Sequence, residues 1–117
     1  MDLKNRTVLV TGAGVRLGQA IAVSLGQRGM KVALHYHQSM EGAKKTLDLM
    51  GGDIKQHGCF QADLRQVSKI ELLIQHIEEK LGQIDVLINN AADFFPTPLG
   101  EVSESEWDHL ISLNLKA

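Results

Sequence analysis

Apolar and polar positions alternate along the chain with two different periods. Four short apolar runs predict β-strands, at residues 7–10, 31–36, about 55–61 and 84–89. Between them, apolar residues recur every three or four positions, as in Ile70, Ile74 and Ile77, and this spacing predicts amphipathic helices. Because strand and helix signals alternate, the pattern indicates βαβ units that build one parallel sheet.

Glycines and capping residues mark the ends of the predicted helices. Three helices should end at glycines, at positions 29, 51–52 and 82. Ser39 is placed to cap the second helix, and 103–106 (Ser-Glu-Ser-Glu) has the form of a capping box that starts a fourth. In the first helix, Leu17, Ile21 and Leu25 share one face.

The fourth predicted strand is mainly apolar, and a long loop follows it. Residues 84–89 (Ile-Asp-Val-Leu-Ile-Asn) favour a strand that is buried on both faces, as parallel strands usually are. Residues 90–100 contain both prolines of the chain and are predicted to form a loop.

Composition and charge narrow the class of protein. The 117 residues suffice for one domain, and 44% hydrophobic with 22% charged residues is typical of soluble globular proteins. A formal net charge of −2 indicates neither a nucleic-acid nor a membrane partner. No apolar run approaches a membrane span, and because the first strand begins at residue 7, no signal peptide is expected. Cys59 is the only cysteine, which excludes an intrachain disulfide, so a cytoplasmic location is expected.

A glycine-rich turn joins the first strand to the first helix, in the stretch TVLVTGAGVRLG at 7–18. Gly12, Gly14 and Gly18 let the backbone turn tightly and approach a ligand without a Cβ in the way. The first N–H groups of a helix have no partner inside it, and the helix dipole favours negative charge there. Strand, turn and helix together predict a cradle for the phosphates of a dinucleotide. The alternative is that the glycines only terminate the strand.

The same stretch resembles the short-chain dehydrogenase/reductase family, whose turn has the form T-G-x-x-x-G-x-G. Thr11, Gly12 and Gly18 match that form, but Arg16 stands where the family has its middle glycine. With this arginine, TGAGVRLG is similar to the pteridine reductase branch. A guanidinium suits bidentate contact with a phosphate, and the alternative for Arg16 is a solvated side chain in the first helical turn.

The resemblance implies an α/β fold, a Rossmann-like doubly wound parallel sheet, truncated, with strands in the order 3-2-1-4. Ligands bind such sheets where the strand order reverses, here between strands 1 and 4. The glycine turn and the loop 90–100 should therefore lie on opposite sides of one crevice. Residues 1–117 would form a single NADP-binding domain, the amino-terminal part of a longer reductase fold.

NADPH is the expected cofactor because the end of strand 2 carries no acidic residue before Glu41. An acid there would bond the ribose 2′-hydroxyl of NAD. The run HYHQS resembles the HYHRS of pteridine reductases, with Gln38 in place of an arginine. His37 and Ser39, together with Arg16, are the expected ligands of the extra phosphate.

Two further segments match the family's cofactor site. Asp63 stands where the family has a residue that hydrogen-bonds adenine, although a turn acid before a helix would look the same. Residues 89–92 (Asn-Asn-Ala-Ala) resemble the family's N-N-A-G, whose asparagines tie the loop to the sheet and line the cofactor path. The expected cofactor-binding residues are Thr11, Gly12, Val15, Arg16, Leu17, Gly18, His37, Gln38, Ser39, Asp63, Leu64, Asn90, Ala91 and Ala92.

The histidines do not form a recognisable metal site. His35 and His37 lie on one face of a strand, but no third ligand accompanies them, so no metal is predicted. His57, His76 and His109 are scattered and are interpreted as surface residues.

The loop DFFPTPL at 93–99 resembles the loop in which pteridine reductases stack a phenylalanine on the pterin, and Phe94 is the matching residue. The alternative is that Phe94 and Phe95 anchor the loop by packing inward. Ala92 stands where that branch has a serine, which removes one polar contact. The substrate-binding residues implied are Arg16, Ala92 and Phe94, and the substrate is a small molecule, a pterin or a carbonyl compound.

One residue of the family's catalytic tetrad has a counterpart here. Asn114 matches the asparagine that helps to hold a proton-relay water. The family's acid is a tyrosine followed four residues later by a lysine, but Tyr36 is the only tyrosine and Met40 follows it at that distance. Residues 1–117 alone are therefore expected to be inactive.

The function implied is that of an NADPH-dependent short-chain oxidoreductase, which passes hydride to a pterin C=N bond or to a carbonyl. A carbonyl or 3-oxoacyl reductase of the same family is one alternative, and a non-catalytic, dinucleotide-binding or self-associating fragment is another. Strand 4 would be an apolar sheet edge, which invites pairing with another chain, so a homo-oligomer is expected.

Overall fold

The computed structural model, which describes residues 2–51, 54–93 and 95–117, follows the predicted alternation of strands and helices. In chain order the elements are β1 (Thr7–Val10), α1 (Arg16–Gln27), β2 (Lys31–Tyr36), α2 (Met40–Met50), β3 (His57–Gln61), α3 (Val67–Leu81), β4 (Val86–Ile88) and α4 (Glu104–Ile111). A 3₁₀ turn, Ile54–Gln56, precedes β3, and a π-helical turn, Ser112–Lys116, follows α4. Among the described residues, no helix combines the length and the apolar character needed to cross a membrane.

All four strands pair in parallel, in the order β3-β2-β1-β4. One row of the sheet runs from Val86 through Val8 and Val32 to His57. This is the predicted strand order, and it makes the fold a Rossmann-like, doubly wound α/β sheet. The order reverses between β1 and β4, so the carboxyl ends of these two strands border the expected ligand crevice.

Strands β1 and β2 are buried because helices cover both faces of the sheet. Alternate residues of a strand point to opposite faces, which sends Val8 and Val10 one way and Leu9 the other. The first face packs against Ala22 of α1 and Met50 of α2. The second packs against Leu73, Ile77 and Leu81 of α3. All four residues of β1 are buried, as a central parallel strand requires.

Two of the predicted strands are shorter than expected. β3 begins at His57 rather than near residue 55, because 54–56 form the 3₁₀ turn. β4 is limited to Val86–Ile88. The prediction that this strand is buried on both faces is wrong, because it forms an edge of the described sheet and Leu87 is 53% exposed.

The predicted helix ends are largely confirmed. The backbone takes positive φ at Gly29, Gly51 and Gly82, where α1, α2 and α3 end. The hydroxyl of Ser103 accepts a hydrogen bond from the N–H of Glu106 at 3.1 Å, as a capping box requires.

Two local predictions on the helices are wrong. Ser39 occupies the N-cap position of α2, but its side chain makes no capping hydrogen bond. Leu17 does not belong to the buried face of α1, because it is 65% exposed and lines a crevice instead. The residues that α1 buries are Gly18 and Ala22.

Candidate functional site

A crevice of about 650 Å³ opens at the carboxyl ends of the strands. Its walls come from the turn after β1, the end of β2, and the segments that follow β3 and β4. The glycine turn and the start of the loop after β4 thus lie at one crevice, as the strand order predicts. The sequence-predicted residues that line it are Gly12, Val15, Arg16, Leu17, Gly18, His37, Gln38, Ser39, Asp63, Leu64, Asn90, Ala91 and Ala92.

Close backbone contacts explain two of the glycines in the turn. A Cβ on Gly18 would overlap the carbonyl oxygen of Gly12. Gly12 itself has φ +65°, and a Cβ there would lie 3.0 Å from the Cα of Ala91. Both positions therefore require glycine, because the turn folds back on itself and lies against the segment after β4.

The other side of the turn packs directly on α2. A Cβ on Gly42 would overlap the carbonyl oxygen of Gly14, and a Cβ on Gly14 would lie 3.0 Å from the carbonyl oxygen of Ser39. Further along α2, the fully buried hydroxyl of Thr46 has two acceptors for its proton, the carbonyls of Ala13 and Gly42, both at 2.9 Å, and it accepts from Gln19 at 3.0 Å. These contacts hold the glycine turn against α2, the helix that directly follows the expected phosphate ligands His37 and Ser39.

The amino-terminal end of α1 is suited to bind an anion. Its N-cap residue is Val15, whose side chain has no oxygen to accept from the first N–H groups of the helix. Its first turn contains no acidic side chain. The helix therefore presents unpaired donors and the positive end of its dipole to the crevice.

Arg16 adopts a backbone conformation that normally belongs to glycine. Its φ is +50°, and it stands where the resemblance places a glycine. The left-handed conformation costs a non-glycine residue about 1–2 kcal/mol. Such strain concentrates at functional sites, and here it brings an exposed guanidinium to the crevice, at the helix end that favours anions.

Thr11 and Asn90 connect the turn to the segment after β4. The Thr11 hydroxyl accepts from the N–H of Asn90 at 3.0 Å and of Ala91 at 2.9 Å. The amide of Asn90 in turn donates to the carbonyls of Thr11 and Gly12, both at 3.1 Å. Thr11 thus lies behind the crevice wall and positions it, whereas Asn90 also lines the crevice.

The end of β2 carries polar groups of two kinds. His37, Gln38 and Ser39 are exposed and line the crevice, and none of the three is acidic. His35 is only 2% exposed, and its two ring nitrogens lie 3.0 Å from the N–H of Gly12 and 2.9 Å from the carbonyl of Ala62. Both nitrogens are therefore engaged by the backbone. Within the described residues, no three His, Cys, Asp or Glu side chains are grouped to hold a metal ion.

Four charged or titratable side chains form a hydrogen-bonded network along one side of the crevice. Asp63 accepts two hydrogen bonds from the Arg65 guanidinium, at 3.0 and 2.9 Å. Arg65 lies 2.7 Å from Nδ1 of His109, and Nε2 of that ring lies 2.6 Å from the Asp93 carboxylate. The hydrogen bonds from Arg65 hold the pKa of the Asp63 carboxyl well below its usual range.

Of the three histidines that were interpreted as surface residues, His57 is buried and His109 is partly exposed. His109 belongs to the hydrogen-bonded network just described and lines the crevice. His57 is 4% exposed, and its Nδ1 accepts from the N–H of Val32 at 3.1 Å inside the sheet. His76 is exposed, as predicted.

Asn114 holds the start of the loop after β4. It lies in the π-helical turn, where its Oδ1 accepts from the N–H of Asp93 at 2.9 Å and its Nδ2 donates to the same residue's carbonyl at 3.0 Å. Phe94, the expected stacking residue, directly follows Asp93 in the sequence and lies outside the described residues. The Phe95 ring packs 5.7 Å from the His109 ring, which supports the loop-anchor interpretation for Phe95.

Sequence reasoning missed several residues that shape the crevice. His35 and Thr46 each had one visible signal, a polar residue within an otherwise buried apolar pattern. Arg65 and His109 had none, because they are 44 positions apart and the fold alone brings them together.

The strand order and the crevice at its reversal define a Rossmann-like protein of the doubly wound α/β class. The family model described as short chain dehydrogenase matches residues 6–117. The chain therefore belongs to the short-chain dehydrogenase family.

Individual relatives agree with this assignment. A short chain dehydrogenase of Claviceps purpurea is 37% identical over 97% of this chain and 43% of its own length. The 3-oxoacyl-[acyl-carrier-protein] reductase FabG of Staphylococcus epidermidis is 31% identical over 96% of this chain and 46% of its own. The crystal structure of the angucycline C-6 ketoreductase LanV with bound NADP has a TM-score of 0.88 at 29% identity, covering 99% of this chain and 48% of LanV. The chain thus spans about half the length of these proteins.

Proposed function

We propose that residues 1–117 form the NADPH-binding, amino-terminal domain of a short-chain reductase. The observation that carries this proposal is the meeting of three features in one crevice. These are the unpaired amide end of α1, the Arg16 guanidinium, and the end of β2 without an acidic residue. The NADP bound to the related ketoreductase supports the same cofactor here.

The residues present fit a dinucleotide that carries a 2′-phosphate. The first turn of α1 would receive the pyrophosphate, because its N–H groups and dipole favour an anion. Arg16, His37 and Ser39 would hold the 2′-phosphate, and Asp63 with Leu64 would border the adenine. Bound NADPH would supply the hydride, and the residues of this chain would bind and orient it.

Replacement of Arg16 tests the cofactor assignment. In the complete enzyme, Arg16→Ala should weaken NADPH binding by about 10-fold or more, because one charge-assisted hydrogen bond is worth roughly 1.5–3 kcal/mol. NADH affinity should change little, and calorimetry measures both. Arg28→Ala, at the opposite end of α1, is the matched control. Equal affinities for the two cofactors, or unchanged selectivity in the variant, would overturn the assignment.

For the substrate we propose a pterin, reduced at a C=N bond. The proposal rests on the resemblance of the loop 93–99, in which Phe94 would stack on the flat ring and Ala92 and Arg16 would border it. Phe94→Ala should weaken dihydropterin binding by about 0.5–1.5 kcal/mol beyond the loss of buried area, with NADPH affinity nearly unchanged. Phe95→Ala should instead destabilise the loop, because Phe95 packs on His109.

A carbonyl or 3-oxoacyl reductase is the second candidate, and two observations favour it. Both FabG and LanV are named as reductases of carbonyl compounds, and Ala92 replaces the serine expected in the pteridine reductase branch. Turnover of an aliphatic ketone, with no binding or turnover of dihydropterins, would establish this candidate against the first.

In either reaction, we propose that Asn114 contributes to proton relay and that the acid comes from outside residues 1–117. In this structure its amide is bonded to the backbone of Asp93, so it also positions the loop beside the substrate. Residues 1–117 alone should not oxidise NADPH with any pterin or ketone. Sustained turnover after repurification would contradict that expectation.

A non-catalytic, self-associating fragment remains a separate candidate, favoured by the exposed edge at β4. Leu87 is 53% exposed on this edge, and an apolar edge strand pairs readily with another chain. Residues 1–117 should therefore form dimers or larger assemblies in light scattering. A monomer at high protein concentration would refute the idea.

A further inference from the structure

His35 is a polar residue at the carboxyl end of the central, apolar strand β2. Its side chain is 2% exposed, and the three residues before it, 32–34, are buried and apolar. Desolvation of a titratable ring is costly, so a buried histidine needs bonds that satisfy both ring nitrogens.

The two partners of the ring determine its protonation state. The N–H of Gly12 can only donate, so Nδ1, at 3.0 Å, must be the unprotonated acceptor. The carbonyl of Ala62 can only accept, so Nε2, at 2.9 Å, must carry the proton. Only a neutral imidazole with its proton on Nε2 makes both bonds. A doubly protonated ring would direct an N–H against the N–H of Gly12.

The ring joins two parts of the crevice that are far apart in sequence. Gly12 opens the glycine turn, which also lies against Ala91. Ala62 directly precedes Asp63, at the expected adenine end. The backbone of His35 adds a third tie, since its carbonyl accepts from the N–H of Ala13 at 2.9 Å.

We propose that His35 is a positioning residue whose neutral imidazole holds the glycine turn in register with the segment after β3. The dinucleotide site is then fully assembled only while this ring is uncharged. The inference deepens the proposed function and rests on it for the identity of the ligand. The bonds themselves are independent of any ligand.

The surroundings of the ring favour its neutral form. Burial lowers the pKa of His35, a nearby charge on His37 lowers it further, and the hydrogen bond to Ala62 opposes them in part. The other charged or titratable side chains of the crevice are Arg16, Asp63, Arg65, Asp93 and His109. Because the folded-state pKa lies below the ordinary 6.5, the stabilising effect is complete above that pH and is lost as the pH falls toward the folded-state value.

This mechanism predicts a pH dependence of NADPH binding opposite to that of a simple electrostatic effect. A positive charge gained at the crevice would by itself attract the phosphates of NADPH and tighten binding. Loss of the Gly12 bond should instead weaken NADPH binding about tenfold for each pH unit below the folded-state pKa of His35, the limiting slope for linkage to one proton. Every variant keeps the other charged and titratable side chains of the crevice, so the ratio of variant to wild-type affinity isolates the effect of His35.

Two conservative variants separate the two bonds. In His35→Asn the side-chain oxygen can take the place of Nδ1 and accept from Gly12 at any pH. In His35→Gln the longer amide can take the place of Nε2 and donate to Ala62, but Gly12 loses its acceptor. The matched control is His57→Asn, because His57 is also buried and accepts a backbone N–H through Nδ1, yet does not line the crevice.

The experiment measures NADPH affinity of the complete enzyme from pH 8 down to the lowest pH at which the enzyme stays folded. At pH 8, His35→Asn should bind within about threefold of wild type, and His35→Gln about tenfold more weakly, as expected for an orphaned backbone donor. Toward the acid end of this range, the wild type should lose affinity relative to His35→Asn, while His57→Asn should follow the wild type. Parallel pH profiles for the wild type and His35→Asn, or an equal change in His57→Asn, would overturn the proposal.

Nitrogen-15 NMR of the wild-type imidazole tests the proposal without any variant. At pH 7.5 the spectrum should show an unprotonated Nδ1 and a protonated Nε2 for His35. A ring protonated on Nδ1 would overturn the proposal even if the variants fail to fold. If NADPH does not bind at any pH while the expected tautomer is present, the proposed cofactor fails and the structural bridge stands.

Discussion

The two sides of the crevice are held by different kinds of contact. On the side of β1 and β2, the strands are buried and the glycine turn is fixed by interior bonds to His35 and Thr46. On the side of β4 and α4, Leu87 is half exposed and α4 buries none of its residues. Few buried apolar contacts mean low local stability. The side proposed to bind cofactor is therefore the rigid one, and the side proposed to meet substrate depends on surface hydrogen bonds.

The largest effect should come from the turn itself. Gly18→Ala places a Cβ into the carbonyl of Gly12, and backbone must move to relieve the overlap. We expect a loss of about 4 kcal/mol or more in unfolding free energy, the range that marks a disrupted backbone. Chemical denaturation measures the loss, and NADPH binding should disappear with it.

Gly82→Ala is the matched control for that change. Its φ is +86°, but a Cβ there meets no atom within 4 Å. Its ψ is −169°, a backbone region that side chains rarely adopt, so the change should cost only that strain, on the order of 1–3 kcal/mol, and leave NADPH affinity unchanged. Equal losses from Gly18→Ala and Gly82→Ala would show that the crowding at Gly18 has no energetic weight.

The second-largest effect on stability is expected when a leucine is truncated to alanine, and the same change can be made on both sides of the crevice. Leu34→Ala in β2 removes a fully buried side chain and should destabilise residues 1–117 by about 2–5 kcal/mol. Leu87→Ala in β4 should cost less than about 1 kcal/mol in residues 1–117, because that side chain is half exposed. Repeating both in the complete enzyme sharpens the comparison. If the rest of the enzyme covers β4, the cost of Leu87→Ala should rise toward that of Leu34→Ala.

A buried polar bond should have an intermediate effect. Thr46→Val keeps the shape of the side chain but removes the hydroxyl that bonds the carbonyls of Ala13 and Gly42 and the amide of Gln19. A buried polar group without a hydrogen-bond partner lowers the free energy of unfolding by about 1–3 kcal/mol. Thr97→Val, in the loop after β4, serves as control and should fall within about 0.5 kcal/mol of wild type. Comparable losses in both would contradict a difference between the two sides.

The smallest effect on stability is expected in the hydrogen-bonded network of Asp63, Arg65, His109 and Asp93. Arg65→Ala should return the pKa of Asp63 to its ordinary range, which carboxyl NMR titration measures, with little change in stability at pH 7. Because folding lowers this pKa, the contribution of the pair is present above the unfolded pKa and is lost as the pH falls below it. Lys69→Ala, on the exposed surface of α3, should leave Asp63 unchanged. A low pKa that persists in Arg65→Ala would assign the effect to another partner.

The fold could be predicted from sequence because its signals are local. Strand and helix periods, the glycines at helix ends and the turn before Arg16 each act within a few residues. Parallel pairing and right-handed crossovers then leave few possible strand orders. The bounds of β1 and β2 were correct for this reason.

The remaining features depend on contacts that local patterns do not encode. The His35 ring meets Gly12 and Ala62 across three strands, and Arg65 meets His109 only after α4 has docked. The exposure of Leu87 depends on what packs over an edge strand, which an apolar run cannot reveal. Sequence therefore identified the residues at the crevice better than the bonds that hold them there.

The left-handed backbone at Arg16 implies an evolutionary trade-off at a single position. Glycine would adopt φ +50° without steric cost, so Arg16→Gly should relieve strain in the folded chain. The same change would remove the guanidinium proposed to recognise the cofactor's extra phosphate. Selection for a sturdier protein and selection for discrimination between two cofactors would thus act in opposite directions here. Relatives that lost the arginine could gain robustness, and those that kept it would have to recover that energy elsewhere in the domain.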